Sequence, residues 1–269
     1  MPKCEVNGAP LAYDDYGDGP PVVFLHAGIA DRRMWAPLVD QLAGRHRVVT
    51  YDLRGYGEST APLANFAHHD DVAGLLDQLG IDRASLVGCS FGGSVAIDAA
   101  LAYPGRVAAL ALFGSVVSGY RLPGFGDLWD RIVGDVDEDD LDAMAAAEVR
   151  FWVVGPARRP QDVDAGLISF AEAMDRQALQ AEAALEQVDV GDLDPPAAQR
   201  LGDIAVPTLV AAGGADIPQI RRLADHLGAE IPQARRLVDV PDTGHLLPLE
   251  RPDLAGRALI DFLSEQNRA

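Results

Sequence analysis

The stretch ASLVGCSFGGSVAIDAAL, residues 84–101, decides the fold. Its first four residues, Ala84 to Val87, form an apolar run that predicts a buried strand, and residues 94–101 predict a helix. Between them lies a Gly-x-Ser-x-Gly pentapeptide centred on Ser90. A serine at a sharp turn between a strand and a helix is the context that a nucleophile elbow requires, so we predict that Ser90 is a catalytic nucleophile. Cys89 is a poor alternative, because the flanking glycines are placed around Ser90.

Further strands and helices alternate on both sides of this stretch. Asn7-Gly8 lies between two short alternating segments and predicts a hairpin turn. Continuous apolar runs are typical of strands buried on both faces of a parallel sheet. We predict such strands at residues 22–25, 48–51, 107–113, 207–212 and 235–240, and helices at 35–42, 66–79, 218–227 and 252–263. This pattern indicates an α/β fold.

The alternation is interrupted after Gly114. No strand-like run bounded by turns occurs between about residues 118 and 200. One helix is predicted at 137–153 and one or two long helices at 162–188 instead, with a break at Gly155-Pro156. We therefore divide the chain into an α/β core, residues 1–117 and 201–269, and a helical cap, residues 118–200.

A serine hydroxyl needs a general base and a carboxylate that orients it. Both are expected in loops after parallel strands, where the sites of open α/β sheets lie. Asp216 follows one predicted strand and His245 follows the next, in the chain order expected after an elbow serine. Asp242 is expected to shape the turn before His245. The other histidines outside the elbow region, His46, His68, His69 and His226, are expected to be solvated.

Five motifs carry a family resemblance: His26-Ala27-Gly28, residues 52–59, residues 88–93, residues 213–216 and Thr243-Gly244-His245. In order and spacing they resemble the α/β-hydrolase superfamily over nearly the whole chain. Among its subgroups the chain looks most like small, cofactor-free bacterial esterases, enol-lactonases and ring-cleavage-product hydrolases. The resemblance implies a mostly parallel eight-stranded sheet with helices on both faces and an inserted helical lid. It implies no metal and no organic cofactor.

An oxyanion hole requires two backbone amides near the nucleophile. The residue after the serine, Phe91, supplies one of them. The resemblance assigns the other to Gly28, with Ile29 as the alternative because Ala27 stands where relatives carry glycine. It also implies a structural role for His26 beneath this loop.

The large apolar residues of the insertion are candidates for a substrate pocket. We expect the pocket to draw on Ile29, Trp129, Phe151, Trp152, Phe170, Met174 and Leu246, and to favour a partly apolar small molecule. Arg158 and Arg159 are candidates for contacting a substrate carboxylate, although adjacent arginines are usually solvated. Asp52 and Arg54 are expected to brace a loop beneath the site.

Composition excludes several classes of partner. Lysine and arginine total 22 against 41 acidic residues, which gives a net charge of −19. Nucleic acids and anionic membranes would repel such a surface. Two cysteines give no disulfide framework, and the sequence shows neither a zinc-ligand spacing nor an apolar signal region. We expect a cytoplasmic monomer or homodimer.

These observations predict a serine hydrolase that cleaves a small carboxylic ester or lactone through an acyl-enzyme. The same three residues also serve carbon–carbon bond hydrolysis of a β-diketone-type substrate, acyl transfer or a biosynthetic cyclisation. A non-catalytic ligand receptor on a hydrolase scaffold is the alternative from another class.

Overall fold

A computed structural model describes residues 2–59, 64–185, 188–237 and 240–266. Eight strands form one sheet in the order β1-β2-β4-β3-β5-β6-β7-β8. The strands are β1 (Lys3–Val6), β2 (Ala9–Tyr16), β3 (Pro21–Leu25), β4 (Arg47–Tyr51), β5 (Ala84–Cys89), β6 (Val107–Phe113), β7 (Thr208–Ala211) and β8 (Ala234–Arg236). β2 pairs antiparallel with β1 and β4, whereas the strands from β4 to β8 pair in parallel. The predicted mostly parallel eight-stranded sheet is confirmed.

The first turn follows from local backbone chemistry. Asn7 and Gly8 join β1 to β2 with φ of 48° and 82°. A two-residue hairpin turn of this hand needs positive φ at both positions, which Asn and Gly adopt at little cost. The last strand is shorter than predicted: β8 ends at Arg236, and part of the predicted 235–240 run, Val238 and Asp239, lies outside the described residues.

Helices cover both faces of the sheet. Apolar residues of α1 and α9 pack on one face, and those of α2, α3 and α7 pack on the other. The described helices are α1 (Ala36–Leu42), α2 (His68–Gln78), α3 (Phe91–Ala102), α4 (Phe125–Asp130), α5 (Leu141–Val149), α6 (Ala165–Leu185), α7 (Pro218–Glu230), α8 (Leu247–Glu250) and α9 (Pro252–Gln266). Successive β3 residues alternate between the two cores, as the period of a strand requires.

The segment between β6 and β7 is helical, as predicted. Its first helix, α4, is absent from the sequence prediction, and α5 begins at Leu141 because the Asp140 side chain accepts a hydrogen bond from the Ala143 amide. A π-helical turn, Arg150–Val154, continues α5. The helix predicted over 137–153 therefore begins later than expected, at Leu141, and its last turn is π-helical instead of α-helical. The division into core and cap at residues 118 and 200 stays a prediction.

Within the described ranges, no helix is both long and apolar enough to cross a bilayer. Across that same part of the chain, no group of three or more His, Cys, Asp or Glu side chains is arranged to hold a metal ion.

Asp98 of α3 gives a pH-dependent stability prediction. Its carboxylate is 7% exposed and accepts a hydrogen bond from Ser118 at 2.8 Å, and burial raises its pKa to about 6. Between about pH 4 and 6 the folded state then holds a proton that the unfolded state has lost, so this group lowers stability as pH rises. We expect Asp98→Asn to gain up to about 3 kcal/mol in unfolding free energy over wild type between pH 4 and 7.

Urea unfolding of both proteins at several pH values measures this difference. Asp82→Asn is the matched control, because Asp82 is exposed. A constant difference between Asp98→Asn and wild type across the range would contradict the prediction.

Candidate active site

Ser90 occupies a strained turn between β5 and α3. Its φ and ψ are 52° and −117°, an uncommon conformation for a residue other than glycine. Backbone hydrogen bonds hold it there: its amide donates to the Phe113 carbonyl at 2.9 Å, and its own carbonyl accepts from Gly93 and Val116. Strain of this kind persists only where the surroundings fix the backbone, and it is concentrated at functional sites.

The glycines around Ser90 are required by close backbone approach. A Cβ atom on Gly88 would lie 2.4 Å from the Gly92 carbonyl oxygen, and one on Gly92 would lie 2.2 Å from the Leu25 carbonyl oxygen. Cys89 between them is fully buried, and burial raises the pKa of its thiol. A buried, protonated thiol is unreactive, which leaves the serine as the chemically available group of the turn.

His245 and Asp216 meet across two neighbouring loops. The Nδ1 atom of His245 lies 2.8 Å from the Oδ2 atom of Asp216, and the two residues are 1% and 3% exposed. A hydrogen bond from Ala215 to Thr243 joins the loops. The other ring nitrogen of His245, Nε2, has no hydrogen-bond partner among the described residues. If Asp216 accepts the Nδ1 proton, Nε2 becomes the atom that can take a proton from elsewhere.

Ser90 and His245 line the same cavity, which has a volume of about 570 Å³. This is the size of a site for a small organic ligand. Residues from the sheet loops and from the inserted helices surround it. They are Gly28, Ile29, Tyr56, Ser90, Phe91, Val116, Phe125, Trp129, Glu148, Trp152, Asp175, Ala178, Leu179, Leu185 and His245.

Three of the predicted pocket residues, Ile29, Trp129 and Trp152, line this cavity. Trp152 also packs against the His245 ring, with centroids 4.5 Å apart. Its carbonyl oxygen accepts the His245 amide at 3.2 Å. The π-helical turn therefore contacts both the ring and the backbone of the histidine.

The other four predicted pocket residues lie elsewhere, and the prediction needs correction there. Phe151 is fully buried in an aromatic cluster with Phe125, Trp129 and Trp152. Met174 and Leu246 are 1% and 0% exposed in the core on the α1 side of the sheet. Phe170 lines a second cavity, where the guanidinium carbon of Arg33 lies 5.8 Å from its ring centroid.

Several lining residues were not predicted. Asp175, Ala178, Leu179 and Leu185 share one face of α6, following the i, i+3, i+4, i+10 spacing of a helix. The sequence did carry one signal for this face: Asp175 interrupts its apolar residues, and a helix face buried in a core rarely carries an acidic residue. Tyr56 lies within the 52–59 motif that carried the family resemblance.

The loop of the predicted oxyanion hole lies against the nucleophile turn. A Cβ atom on Gly28 would lie 3.7 Å from the Cβ of Phe91, so the two backbones are adjacent. The Phe91 amide begins α3 and has no acceptor within the helix. His26 fixes this loop: its Nε2 accepts from the Leu53 amide at 3.0 Å, so Nδ1 carries the proton donated to the Ala27 carbonyl. Burial lowers the pKa of His26 and keeps it neutral, which fits the expected structural role.

Asp52 and Arg54, expected to brace a loop beneath the site, each pair with a residue from another part of the chain. Asp52 is fully buried and pairs with Arg32, whose guanidinium also contacts Asp14. Arg54 forms a two-pronged contact with Asp71 at 2.6 Å through both Nε and Nη2. Each charge is thus neutralised by a partner at least 17 residues away in the sequence.

Arg158 neither lines the cavity nor lies in solvent. It is 8% exposed, donates to the carbonyls of Val153 and Asp242, and pairs with Glu250. Glu250 in turn accepts the amide of Gly244 at 2.8 Å. Arg158 therefore ties the π-helical turn to the loop of the candidate histidine. Arg159 is exposed and pairs with Asp162 at 2.9 Å.

Three histidines expected in solvent are buried. His46, His68 and His69 are 4%, 7% and 9% exposed. His68 packs edge-on against Phe91, with ring centroids 5.1 Å apart, and burial lowers its pKa to about 3. His68 and His69 line a cavity beside α3. Their position at the start of a predicted helix with polar neighbours gave no sign in the sequence that they would be buried. His226 is only partly exposed and packs against Tyr120.

Comparison with known proteins agrees with this architecture. The 3-oxoadipate enol-lactonase 1 of Acinetobacter baylyi is 27% identical over 242 residues, covering 88% of this chain and 85% of that protein. A putative carbamate hydrolase RutD of Variovorax paradoxus is 34% identical over 277 residues, covering 95% of this chain and 96% of that protein. The crystal structure of the enol-lactonase from Burkholderia xenovorans LB400 has a TM-score of 0.79 and 27% identity, covering 98% of this chain and all of that one. A family model described as alpha/beta hydrolase fold matches residues 20–252, and the chain belongs to that family.

Proposed function

We propose that this alpha/beta hydrolase is a serine hydrolase that cleaves a small carboxylic ester or lactone. One observation carries the proposal. His245 is bonded to Asp216 through Nδ1, while its Nε2 has no hydrogen-bond partner among the described residues, and the ring lines the same cavity as Ser90. A base held by a carboxylate beside a serine on a strained turn is the arrangement that activates a hydroxyl.

In the proposed reaction, the Ser90 Oγ attacks the carbonyl carbon and His245 Nε2 takes the hydroxyl proton. The amides of Phe91 and Gly28 donate to the oxyanion of the tetrahedral intermediate. The carbon–oxygen bond to the leaving group then breaks, and His245 returns the proton to the departing alkoxide. In a lactone the resulting alcohol stays attached to the acyl chain.

Water completes the reaction. His245 removes a proton from a water molecule, which attacks the acyl-enzyme, and the second intermediate releases Ser90 and the carboxylic acid. These steps require no metal or organic cofactor. The carboxylate of Asp216 stabilises the His245 cation in each half of the cycle and fixes the ring tautomer.

The inserted helices suit the role of a cap over this site. Phe125 and Trp129 of α4 and Trp152 of the π-helical turn line the cavity together with residues of the sheet loops. Their rings give it a mainly apolar wall, which favours a hydrophobic acyl or leaving group. We propose that residues 118–200 act as this cap. The enol-lactonases among the relatives support a lactone as one substrate class.

A fluorophosphonate probe tests the proposed nucleophile. We expect stoichiometric labelling of the native protein, with the adduct located on Ser90 by peptide mass spectrometry. The same preparation should hydrolyse p-nitrophenyl butyrate or a medium-chain lactone, and labelling should abolish that activity in proportion. Heat-unfolded protein is the control for nonspecific reaction. Absence of label, or a label on another residue of the folded protein, would refute the proposal.

A further inference from the structure

A smaller cavity lies beside the one that contains Ser90, and we call it the side cavity. It is lined by residues of α2, of α3 and of the segments 116–118 and 190–192, and its volume is about 250 Å³. Phe91 and Val116 line both cavities, so the two cavities meet at these residues. The side cavity has room for about eight water molecules at roughly 30 Å³ each, or for an organic molecule with about as many non-hydrogen atoms. The reaction proposed above does not use this space.

Asp98 places a buried carboxylate in the side cavity. It is 7% exposed, and its described partner is the Ser118 hydroxyl at 2.8 Å. No cation pairs with it in the described part of the chain, and Arg200, whose charge acts on it, is paired with Asp203 at 3.3 Å. A buried carboxylate without a counterion is unfavourable, and burial accordingly raises the pKa of Asp98. The chain thus keeps an acid here at a cost in stability that the proposed reaction does not explain.

His68 is a second and independent sign of a ligand at this position. It is 7% exposed, lines the side cavity, and its Nδ1 has no hydrogen-bond partner among the described residues. The rings of Phe66 and Phe91 hold it edge-on, with centroids 4.9 and 5.1 Å away. Buried polar atoms are nearly always hydrogen-bonded, so an unpaired ring nitrogen beside a cavity marks a position where a ligand can form that bond.

The rest of the wall combines a hydroxyl group with methyl groups. Ser94 lies four residues before Asp98 on α3, which puts both side chains on one face of the helix, and both line the cavity. Val95, Val117 and Val190 supply apolar surface around them. A carboxylate and a hydroxyl among valine side chains are complementary to a molecule with a polar head and a short carbon chain.

The charge of the wall determines the sign of that head. Asp98 and the exposed Asp192 are acidic, and the described lining residues include no lysine or arginine. A primary ammonium has three N–H donors and no acceptor. The Asp98 carboxylate, the Ser94 hydroxyl and a neutral imidazole can each accept one of them. His68 is neutral at pH 7, because burial lowers its pKa to about 3.

We propose that the side cavity binds a short-chain primary alkylammonium ion, with the ammonium bonded to Asp98 and His68 and the carbon chain packed against the valines. The ion supplies the counterion that the chain does not provide to Asp98. This binding goes beyond the proposed hydrolysis, because it involves neither Ser90 nor His245.

NMR titration of ¹⁵N-labelled protein with butylammonium, butan-1-ol and butanoate tests the proposal with a cationic, a neutral and an anionic probe. We expect butylammonium to shift the backbone amide signals of Ser94 and Asp98 and the imidazole signals of His68. It should bind at least roughly tenfold more tightly than butan-1-ol, and butanoate should bind most weakly. Equal affinities for the three probes, or shifts confined to Trp129 and Trp152 of the catalytic cavity, would overturn the proposal.

Asp98→Asn removes the charge and retains the shape, and the asparagine oxygen can still accept the Ser118 hydroxyl. We expect its affinity for butylammonium to fall roughly tenfold or more, while that for butan-1-ol stays within about twofold. The retained alcohol binding shows that the cavity is intact. Asp82→Asn is the matched control, because Asp82 is exposed and does not line the cavity. An equal loss in Asp82→Asn would assign the effect to overall charge and would refute the site at Asp98.

His68→Phe keeps an aromatic ring against Phe66 and Phe91 and removes both ring nitrogens. We expect its affinity for butylammonium to fall roughly threefold or more, because one hydrogen bond to the ammonium is lost. An unchanged affinity would remove His68 from the site and contradict the proposed geometry.

None of these measurements uses a substrate, so they separate this inference from the proposed function. Ser90→Ala should bind butylammonium like wild type, because Ser90 does not line the side cavity. If the protein binds butylammonium at Asp98 but does not react with a fluorophosphonate, the proposed hydrolysis fails and the alkylammonium site stands. If Ser90 is labelled but the signals of His68 and Asp98 do not respond to butylammonium, the hydrolysis stands and the alkylammonium site fails.

Discussion

Replacing Ser90 with alanine is expected to lower kcat for p-nitrophenyl butyrate by roughly 10⁶-fold and to abolish fluorophosphonate labelling. Alanine removes only the Oγ atom, and the backbone bonds from Ser90 to Phe113, Gly93 and Val116 do not depend on the side chain. The turn should therefore keep its conformation while the attacking atom is lost. The remaining amides and the cavity can bind substrate, so the residual rate should exceed that in water.

The matched control is Ser85→Ala. Ser85 lies on the same strand, β5, at the opposite end from the nucleophile turn. We expect this variant to retain wild-type kcat and labelling. A Ser90→Ala protein that is folded by circular dichroism and keeps more than a small fraction of the ester turnover would contradict the proposed mechanism.

The fold could be predicted because its signals are local in the sequence. Apolar runs of strand length, the Asn7-Gly8 turn and the glycines around Ser90 each determine a backbone conformation within a few residues. Parallel strands then bring their carboxyl ends to one edge of the sheet. The contact between Asp216 and His245 follows from this, because each residue comes after one of two neighbouring strands.

The cavity wall was harder to predict because it depends on the phase of the inserted helices. The π-helical turn at Arg150–Val154 departs from the 3.6-residue period. Phe151 and Trp152 belong to the same aromatic cluster, but only Trp152 also lines the cavity. The sequence pattern of large apolar residues does not predict which of the two rings lines the cavity.

The partners of the buried charged residues could not be predicted either, because they too depend on tertiary packing. Asp52 and Arg54 are near neighbours in sequence, yet their partners are Arg32 and Asp71, which the folded chain brings to them. The same holds for Arg158, whose carbonyl acceptor on Asp242 is 84 residues away. Burial of an ion pair is decided by tertiary packing, and residue type at one position does not reveal it.

A second large loss of turnover is expected when the carboxylate of Asp216 is replaced. Asp216→Asn should lower kcat for p-nitrophenyl butyrate by roughly 10⁴-fold. The carboxylate accepts a hydrogen bond from Nδ1 of His245 at 2.8 Å and so leaves Nε2 unprotonated. An asparagine amide can donate to Nδ1 instead, which places the ring proton on Nε2, where it blocks transfer from Ser90. Labelling by fluorophosphonate should slow in parallel, because it depends on the same base.

Asp242→Asn is the control that separates this role from a loop effect. Asp242 is an exposed residue three positions before His245, and its φ of 55° is one that asparagine adopts readily. Its backbone carbonyl, which Arg158 contacts, is retained in the variant. We therefore expect nearly wild-type turnover. A loss in Asp242→Asn comparable to that in Asp216→Asn would assign the effect to the conformation of the histidine loop rather than to the tautomer of His245.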